Sequence, residues 1–179
     1  MNLICKLTDK DIGEEYIEME NPSLRRGARG IVINNDGKIA VFYKSAKNEY
    51  KLPGGGIEGD ETPELAFKRE VLEETGCKVE IIDNLGITEE LKNRTNFKQI
   101  SYVFVGKVIE DTHKLHLTKS EQKAKAMLLW ETPEKALELV TNCYDKITAD
   151  EISVYMTKFI VTRDRKIIEY YMNKDTANT

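Results

Sequence analysis

Gly55 to Cys77 reads GGIEGDETPELAFKREVLEETGC, and this stretch decides the fold. Thr62 offers a side-chain oxygen at an N-cap, Pro63 suits the first helical position, and Gly76 suits the stop after the last turn. The spacing therefore predicts a helix over 62–75. On it, Glu70, Glu73 and Glu74 stand at i, i+3 and i+4 and share an arc of roughly 100°. Leu65 and Leu72 fall on the opposite side, with Val71 and Phe67 carrying the apolar surface towards one flank. The expectation is a helix that buries one side and holds three carboxylates out on the other, with small Ala66 leaving room among them.

Three like charges at these spacings repel one another. They also crowd the C-terminal half of the helix, where the macrodipole disfavours anions. Arg69 can pair with Glu73, but one cation does not balance three anions. A solvated acidic face is the plainer reading of three glutamates alone. Local penalties that persist tend to mark functional sites, however, and an oxygen-rich carboxylate cluster suits Mg²⁺ or Mn²⁺.

The surrounding residues weigh against the plain reading. The segment resembles the box of the Nudix (MutT-like) hydrolase family, G-x5-E-x7-R-E-U-x-E-E-x-G-U with U aliphatic. Gly55, Glu61, Arg69, Glu70, Glu73, Glu74 and Gly76 occupy the specified positions, and Val71 the aliphatic one. At ordinary residue usage such a match arises by chance less than about once in 10⁷ windows. Cys77 is the one departure, small and apolar where an aliphatic residue is usual. The looser resemblance runs from Arg26 to Val140: a strand pair, Lys-Leu-Pro-Gly-Gly-Gly, the box, then a strand reaching Trp130 and a helix.

The resemblance implies an α/β/α sandwich with a mixed β-sheet. It also implies metal-dependent hydrolysis of a diphosphate linkage in a nucleoside diphosphate derivative or related nucleotide. By position Glu70, Glu73 and Glu74 would be the metal ligands, joined by the carbonyl of Gly54, while Gly55, Glu61, Arg69 and Gly76 would be structural. A further glutamate outside the box is often used in the family. Glu121 is the choice here, with Glu110, Asp111, Glu89 and Glu90 as competitors. Arg25, Arg26, Arg94 and Lys98 could bind phosphate, and Tyr50 could stack a base. The alternative is a catalytically inactive Nudix-fold module that binds nucleotide or regulates. The intact box favours the hydrolase.

Outward from the box, residues 29–34 and 38–43 read as two strands joined by Asn35-Asp36-Gly37, a hairpin by turn chemistry. Residues 45–50 read as a loop, and Pro53-Gly54-Gly55-Gly56 as a segment without regular structure. Residues 79–82, 100–108 and 126–130 read as strands, and 132–140 and 151–171 as helices. Residues 1–25 read as an arm or edge strand of the same domain, and 26–179 as the hydrolase domain with a C-terminal helix.

Bulk properties bound the partners. The 179 residues are 40% hydrophobic and 32% charged, an ordinary globular composition for one domain. A net charge of −4 argues against a general nucleic-acid backbone binder and leaves a single small nucleotide open. Cys5, Cys77 and Cys143 are odd in number and widely spaced, and His113 and His116 have no Cys nearby, so free thiols are expected rather than zinc. No run approaches the ~20 apolar residues of a membrane span, and none resembles a signal peptide. A cytoplasmic protein without membrane partner is expected, with homodimerisation left open.

Overall fold

A computed structural model describes residues 2–176, with side chains to residue 174. Met1 and 177–179, the outer ends of the two sequence-derived spans, lie outside the described residues. The strands are β1 (Leu3–Leu7), β2 (Ser23–Ile33), β3 (Ile39–Lys44), β4 (Glu49–Lys51), β5 (Gly54–Gly56), β6 (Cys77–Lys92), β7 (Phe97–Asp111) and β8 (Ala126–Glu131). The helices are α1 (Pro63–Thr75), α2 (Lys119–Lys123), α3 (Pro133–Asn142) and α4 (Glu151–Thr176).

The sheet runs β1-β6-β7-β2-β3-β4, with β5 also on β2 and β8 also on β3. β1/β6 and β2/β7 are parallel and the other pairs antiparallel, so the sheet is mixed. The β2–β3 turn forms as its residues dictate. Asn34 Oδ1 accepts from the N–H groups of Asp36 and Lys38, and Gly37 takes the left-handed φ of 74°.

Alternation along β2 sends its side chains to two layers. Ala28 and Val32 face α1, where they pack with Phe67, Val71, Val79 and Phe104. Ile31 faces the other side and joins Val41, Leu52, Val103, Val140 and Ile168 beneath α3 and α4. The result is the expected α/β/α sandwich. Tyr155 and Phe159 of α4 close its outer edge against Leu7 and Ile12.

Besides the loop expected over 45–50, whose last two residues Glu49 and Tyr50 instead belong to β4 and pair with β3, two sequence expectations fail here. Pro-Gly-Gly-Gly does not exclude regular structure: Gly54–Gly56 is a strand paired antiparallel with Gly27, Ala28 and Arg29. Glycine is required because the backbones approach so closely. A Cβ on Gly54, at φ 140°, would overlap the Ala28 carbonyl and the Arg29 backbone. The second failure concerns the orientation of α1. Leu65, assigned to the buried side, is 57% exposed, whereas Glu74 is 2% exposed. Phe67, Val71 and Glu74, at i, i+4 and i+7, define the buried arc, because Phe67 and Val71 carry the packing against the sheet.

Candidate active site

The helix carrying the box is held as its sequence indicates. Thr62 Oγ1 accepts from the Leu65 N–H, and Gly76 at φ 71° returns its N–H to Leu72. Preceding it, β5 lies along the edge of β2, so the glycine strip and the acidic arc of α1 face one cleft of about 460 Å³.

Glu70, Glu73, Glu74 and Glu121 all line this cleft, with the strip Gly54–Gly56 between them and Arg29. A Cβ on Gly55 would come within 2.5 Å of the Glu70 carboxylate, so only glycine lets that side chain lie flat against the strand. Arg69 ties the arc together. Its guanidinium binds both oxygens of Glu61 (2.7 and 3.0 Å), Glu70 Oε1 (2.9 Å) and Glu73 Oε2 (3.4 Å), and donates to the Gly56 carbonyl (2.8 Å). These bonds hold Glu61 below the usual carboxylate range, with Arg69 as the main cause. Burial pushes Glu73 the other way, with Arg69 opposing.

Glu74 is the most enclosed of the three. Its Oε2 accepts from the Gly54 N–H (2.8 Å), and its Oε1 pairs with Lys51 Nζ at 2.6 Å. The same ammonium donates to the Gly54 carbonyl at 3.1 Å. Burial raises Glu74 although Lys51 opposes it. Lys51 thus sits on two oxygens that the box resemblance assigns to a metal, although the sequence marked it only as the first residue of Lys-Leu-Pro-Gly-Gly-Gly.

Glu121 reaches the cleft through the loop after β7. Thr112 donates its N–H and Oγ1–H to the Gly76 carbonyl, and the His116 N–H binds the Glu73 carbonyl (2.8 Å), pinning that loop to the C-terminal end of α1. The pinned loop carries α2 to the mouth of the cleft. There the Glu121 carboxylate closes a capping box, accepting from the Thr118 N–H (2.8 Å) and Oγ1 (2.9 Å).

The competitors lie elsewhere or are committed. Glu110 pairs with Lys78 on the surface, Glu89 with Lys98, and Asp111 with His113. Glu90 is buried between Lys92 (3.0 Å) and Arg163 (3.1 Å).

Of the five residues expected to contact substrate, Arg25 alone lines this cleft. Arg26, next along the strand, points to the other face and borders a separate depression with Leu24 and Tyr102. Arg94 is spent on Glu14 (2.6 Å) and Glu151 (2.9 Å), over the Tyr155 ring. Lys98 pairs with Glu89 (3.6 Å), and Tyr50 stacks on Tyr43 with ring centres 4.1 Å apart. Arg29, Lys92, Gln99 and Arg163 line the cleft without having been singled out beforehand. Arg29 and Gln99 face the same side of the sheet as Ile31 and Val103, and a strand pattern alone does not separate such polar positions from core ones.

Among the described residues, no three His, Cys, Asp or Glu side chains converge as a ready-made metal centre. The donor set nonetheless fits a hard cation: the Gly54 carbonyl and Glu74 already close on a charged nitrogen, and Glu70 lies beside them in a cradle that a Cβ would fill.

The NUDIX domain family matches residues 23–150. A MutT-like protein of Streptomyces ambofaciens is 34% identical over 115 residues, 64% of this chain and 68% of that protein. An RNA pyrophosphohydrolase of Nitratiruptor is 28% identical over 166 residues, 86% of this chain and 96% of the other. A NUDIX hydrolase from Nitrosomonas europaea has the same fold, with a TM-score of 0.60 at 16% identity over 85% of this chain and 90% of its own. This chain belongs to the NUDIX family and is a Nudix hydrolase. Among the described residues no helix is long and apolar enough to cross a membrane.

Proposed function

We propose that this hydrolase cleaves a diphosphate linkage in a nucleoside diphosphate derivative or related small nucleotide, by water attack on phosphorus. Mg²⁺ or Mn²⁺ would be held by Glu70, Glu73, Glu74 and the Gly54 carbonyl, with Glu121 as the distal carboxylate. The observation that carries this reading is the two-sided cleft: box carboxylates on one wall, and Arg25 and Arg29 on the other. A diphosphate bridging a metal and guanidinium groups needs this division of charge.

When bound, the divalent cation supplies Lewis-acid polarisation of phosphate oxygens and a more acidic water. The chain's own residues do the rest. Arg69 fixes the direction of Glu70 and Glu73 and ties Glu61 to the Gly56 carbonyl, which keeps the strip and the helix in register. Lys51 keeps Glu74 and the Gly54 carbonyl in place, the two oxygens that would hold the cation. Arg25, exposed at the wall, neutralises phosphate charge. Glu121, whose carboxylate among the described residues is bonded to Thr118 in the cap of a five-residue helix, would need to give up only that cap to turn inward.

The test is a screen of nucleotide diphosphate derivatives, a 5′-triphosphorylated RNA included, with Mg²⁺ or Mn²⁺ and release of phosphate or pyrophosphate as readout. Turnover of at least one substrate, lost in excess chelator and restored by metal, is the expected result. Undiminished turnover in chelator removes the metal mechanism, and no turnover of any member favours the binding-module alternative.

A further inference from the structure

The inner end of the cleft holds more positive charge than its neighbours neutralise. Arg29 is 5% exposed, and its one hydrogen bond among the described residues runs from Nε to Ser101 Oγ at 3.1 Å. No carboxylate lies within ion-pair distance of it among the described residues. Arg163, 1% exposed, gives Nε to Asp164 (2.8 Å) and Nη1 to Glu90 (3.1 Å), while its Nη2 is buried with no partner. Lys92, also 1% exposed, shares Glu90 with Arg163. Gln99, bonded to Ser101 as well, completes the group. Three cations thus face two carboxylates, Glu90 and Asp164, none of the five more than 5% exposed, while Glu74, which also acts on Arg29, is itself paired with Lys51.

Burying an unmatched guanidinium is costly, and the cost is visible in Arg29, which burial and then Arg163 lower to about 10. Cationic donors left unpaired at the bottom of an open cleft are complementary to an anion with several acceptor oxygens. The position links this group to the reacting centre. Arg29 stands opposite Gly54 in the β2–β5 register, and a Cβ on Gly27 would lie 3.4 Å from its Nη2 and 2.7 Å from the Gly55 carbonyl. Glu70 lies against that same glycine. The guanidinium and the carboxylate therefore flank one strip of backbone.

We infer that Arg29, Lys92, Gln99 and Arg163 form a closed seat for the terminal phosphate of the substrate, so that this enzyme acts on phosphate-ended polyphosphate esters rather than on diphosphates capped at both ends. This inference rests on the hydrolase reading above and narrows its substrate class. The seat is walled by the inner face of α4, where Met156 and Ile160 complete the lining. A tetrahedral phosphate with no further substituent fits such a dead end. Met156 and Ile160 offer a sugar or second nucleoside on that phosphorus no polar partner. The nucleoside end then points out past Arg25, and the phosphoryl product leaves last from the inner end.

The experiment uses the full chain and Arg29→Met. This variant removes an unmatched buried charge and is expected to keep or raise Tm, unlike changes at the doubly paired Arg163. Inorganic phosphate, added to the metal-free protein, should raise the Tm of the wild type and not that of Arg29→Met. Lys78→Met, a surface charge control outside the cleft, should respond as the wild type does. With metal, kcat/KM for a nucleoside triphosphate should exceed that for a nucleotide sugar at least ~30-fold, and Arg29→Met should reduce that preference at least ~10-fold. Equal or better use of nucleotide sugars by the wild type overturns the inference while leaving the hydrolase reading intact. So does phosphate stabilisation that survives Arg29→Met. Failure to hydrolyse anything sinks the hydrolase reading, and the metal-free phosphate measurement still decides whether the seat exists.

Discussion

At the scale of single residues, Glu74 gives the clearest contrast between helix arithmetic and packing. On an isolated helix its removal relieves repulsion with Glu70 and disfavour from the dipole, so Glu74→Gln would stabilise the metal-free protein slightly. In the fold Glu74 is buried against Lys51 and the Gly54 N–H. Neutralising it strands a buried ammonium, which costs about 3 kcal/mol when one partner of a buried pair is removed. We therefore expect Glu74→Gln to lower kcat at least ~10²-fold, the scale of lost transition-state charge stabilisation, and to lower the metal-free Tm as well. Unchanged Tm in thermal unfolding would mean that the Lys51 contact contributes nothing. Lys51→Met separates the two effects, because it frees the Glu74 and Gly54 oxygens while leaving both in place. The expected outcome is a lower metal-free Tm, tighter Mg²⁺ or Mn²⁺ binding by calorimetry, and recovery of Tm at saturating metal. Metal affinity equal to the wild type's would show that the lysine does not compete for the site.

Elements were legible in proportion to how locally their causes act. The Thr62, Pro63 and Gly76 caps, the Asn35-Asp36-Gly37 turn and the box helix rest on neighbours a few residues away, and all three form where the sequence puts them. β5 was not legible, since glycine is a poor strand former and the strand exists because β2 offers an edge that only glycine can approach. α2 escaped notice for a different reason: five residues give no period to read. Loop residues 112–118 owe their course to Gly76 and Glu73, more than 35 positions back. The carboxylate arc was therefore readable as an arc, while what surrounds it was not. β5 yields a sharp prediction, because its glycines fail differently. A Cβ on Gly55 meets the end of the Glu70 side chain, which can move, whereas one on Gly54 meets backbone, which cannot. Gly55→Ala should keep the fold, losing no more than about 1 kcal/mol by denaturant titration, yet lose at least ~10-fold in kcat as Glu70 is displaced. Gly54→Ala should lose considerably more stability, since its φ of 140° adds backbone strain to the clash. Equal stability losses in the two variants would contradict this division.

Across the whole molecule, one side of the sheet changes character along its length, and that change joins stability to the site. Beneath α3 and the C-terminal part of α4 the layer is apolar, with Val161, Ile167 and Ile168 against Ile31 and Val103. Towards the cleft it becomes a buried ionic layer of Glu90, Lys92, Arg163 and Asp164, whose Oδ2 also accepts from the Leu52 N–H. Partners there lie as far as 112 positions apart, as in Leu52 to Asp164, so no local pattern could announce them. Glu90 is the hub, touching both Lys92 and Arg163. Burial alone would raise its pKa, but Arg163 and Lys92 outweigh burial and hold it at about 2, against an ordinary 4.5. Because the folded value is depressed, its contribution is fully present above the unfolded value near 4.5 and is lost as pH falls towards 2. A depression of this size corresponds to about 3 kcal/mol at neutral pH. Glu90→Gln should therefore destabilise the protein by about 3 kcal/mol at pH 7, the scale of a broken buried pair, with Arg29, Lys92 and Arg163 left facing Asp164 alone. Urea titrations of wild type and variant should show this gap constant from pH 7 to about 5 and closing below 4.5. A gap that stays constant through pH 3 would mean that Glu90 is not the titrating hub of the layer. A gap that widens on acidification would reverse the sign of the linkage and place the neutral form of Glu90 in the native state.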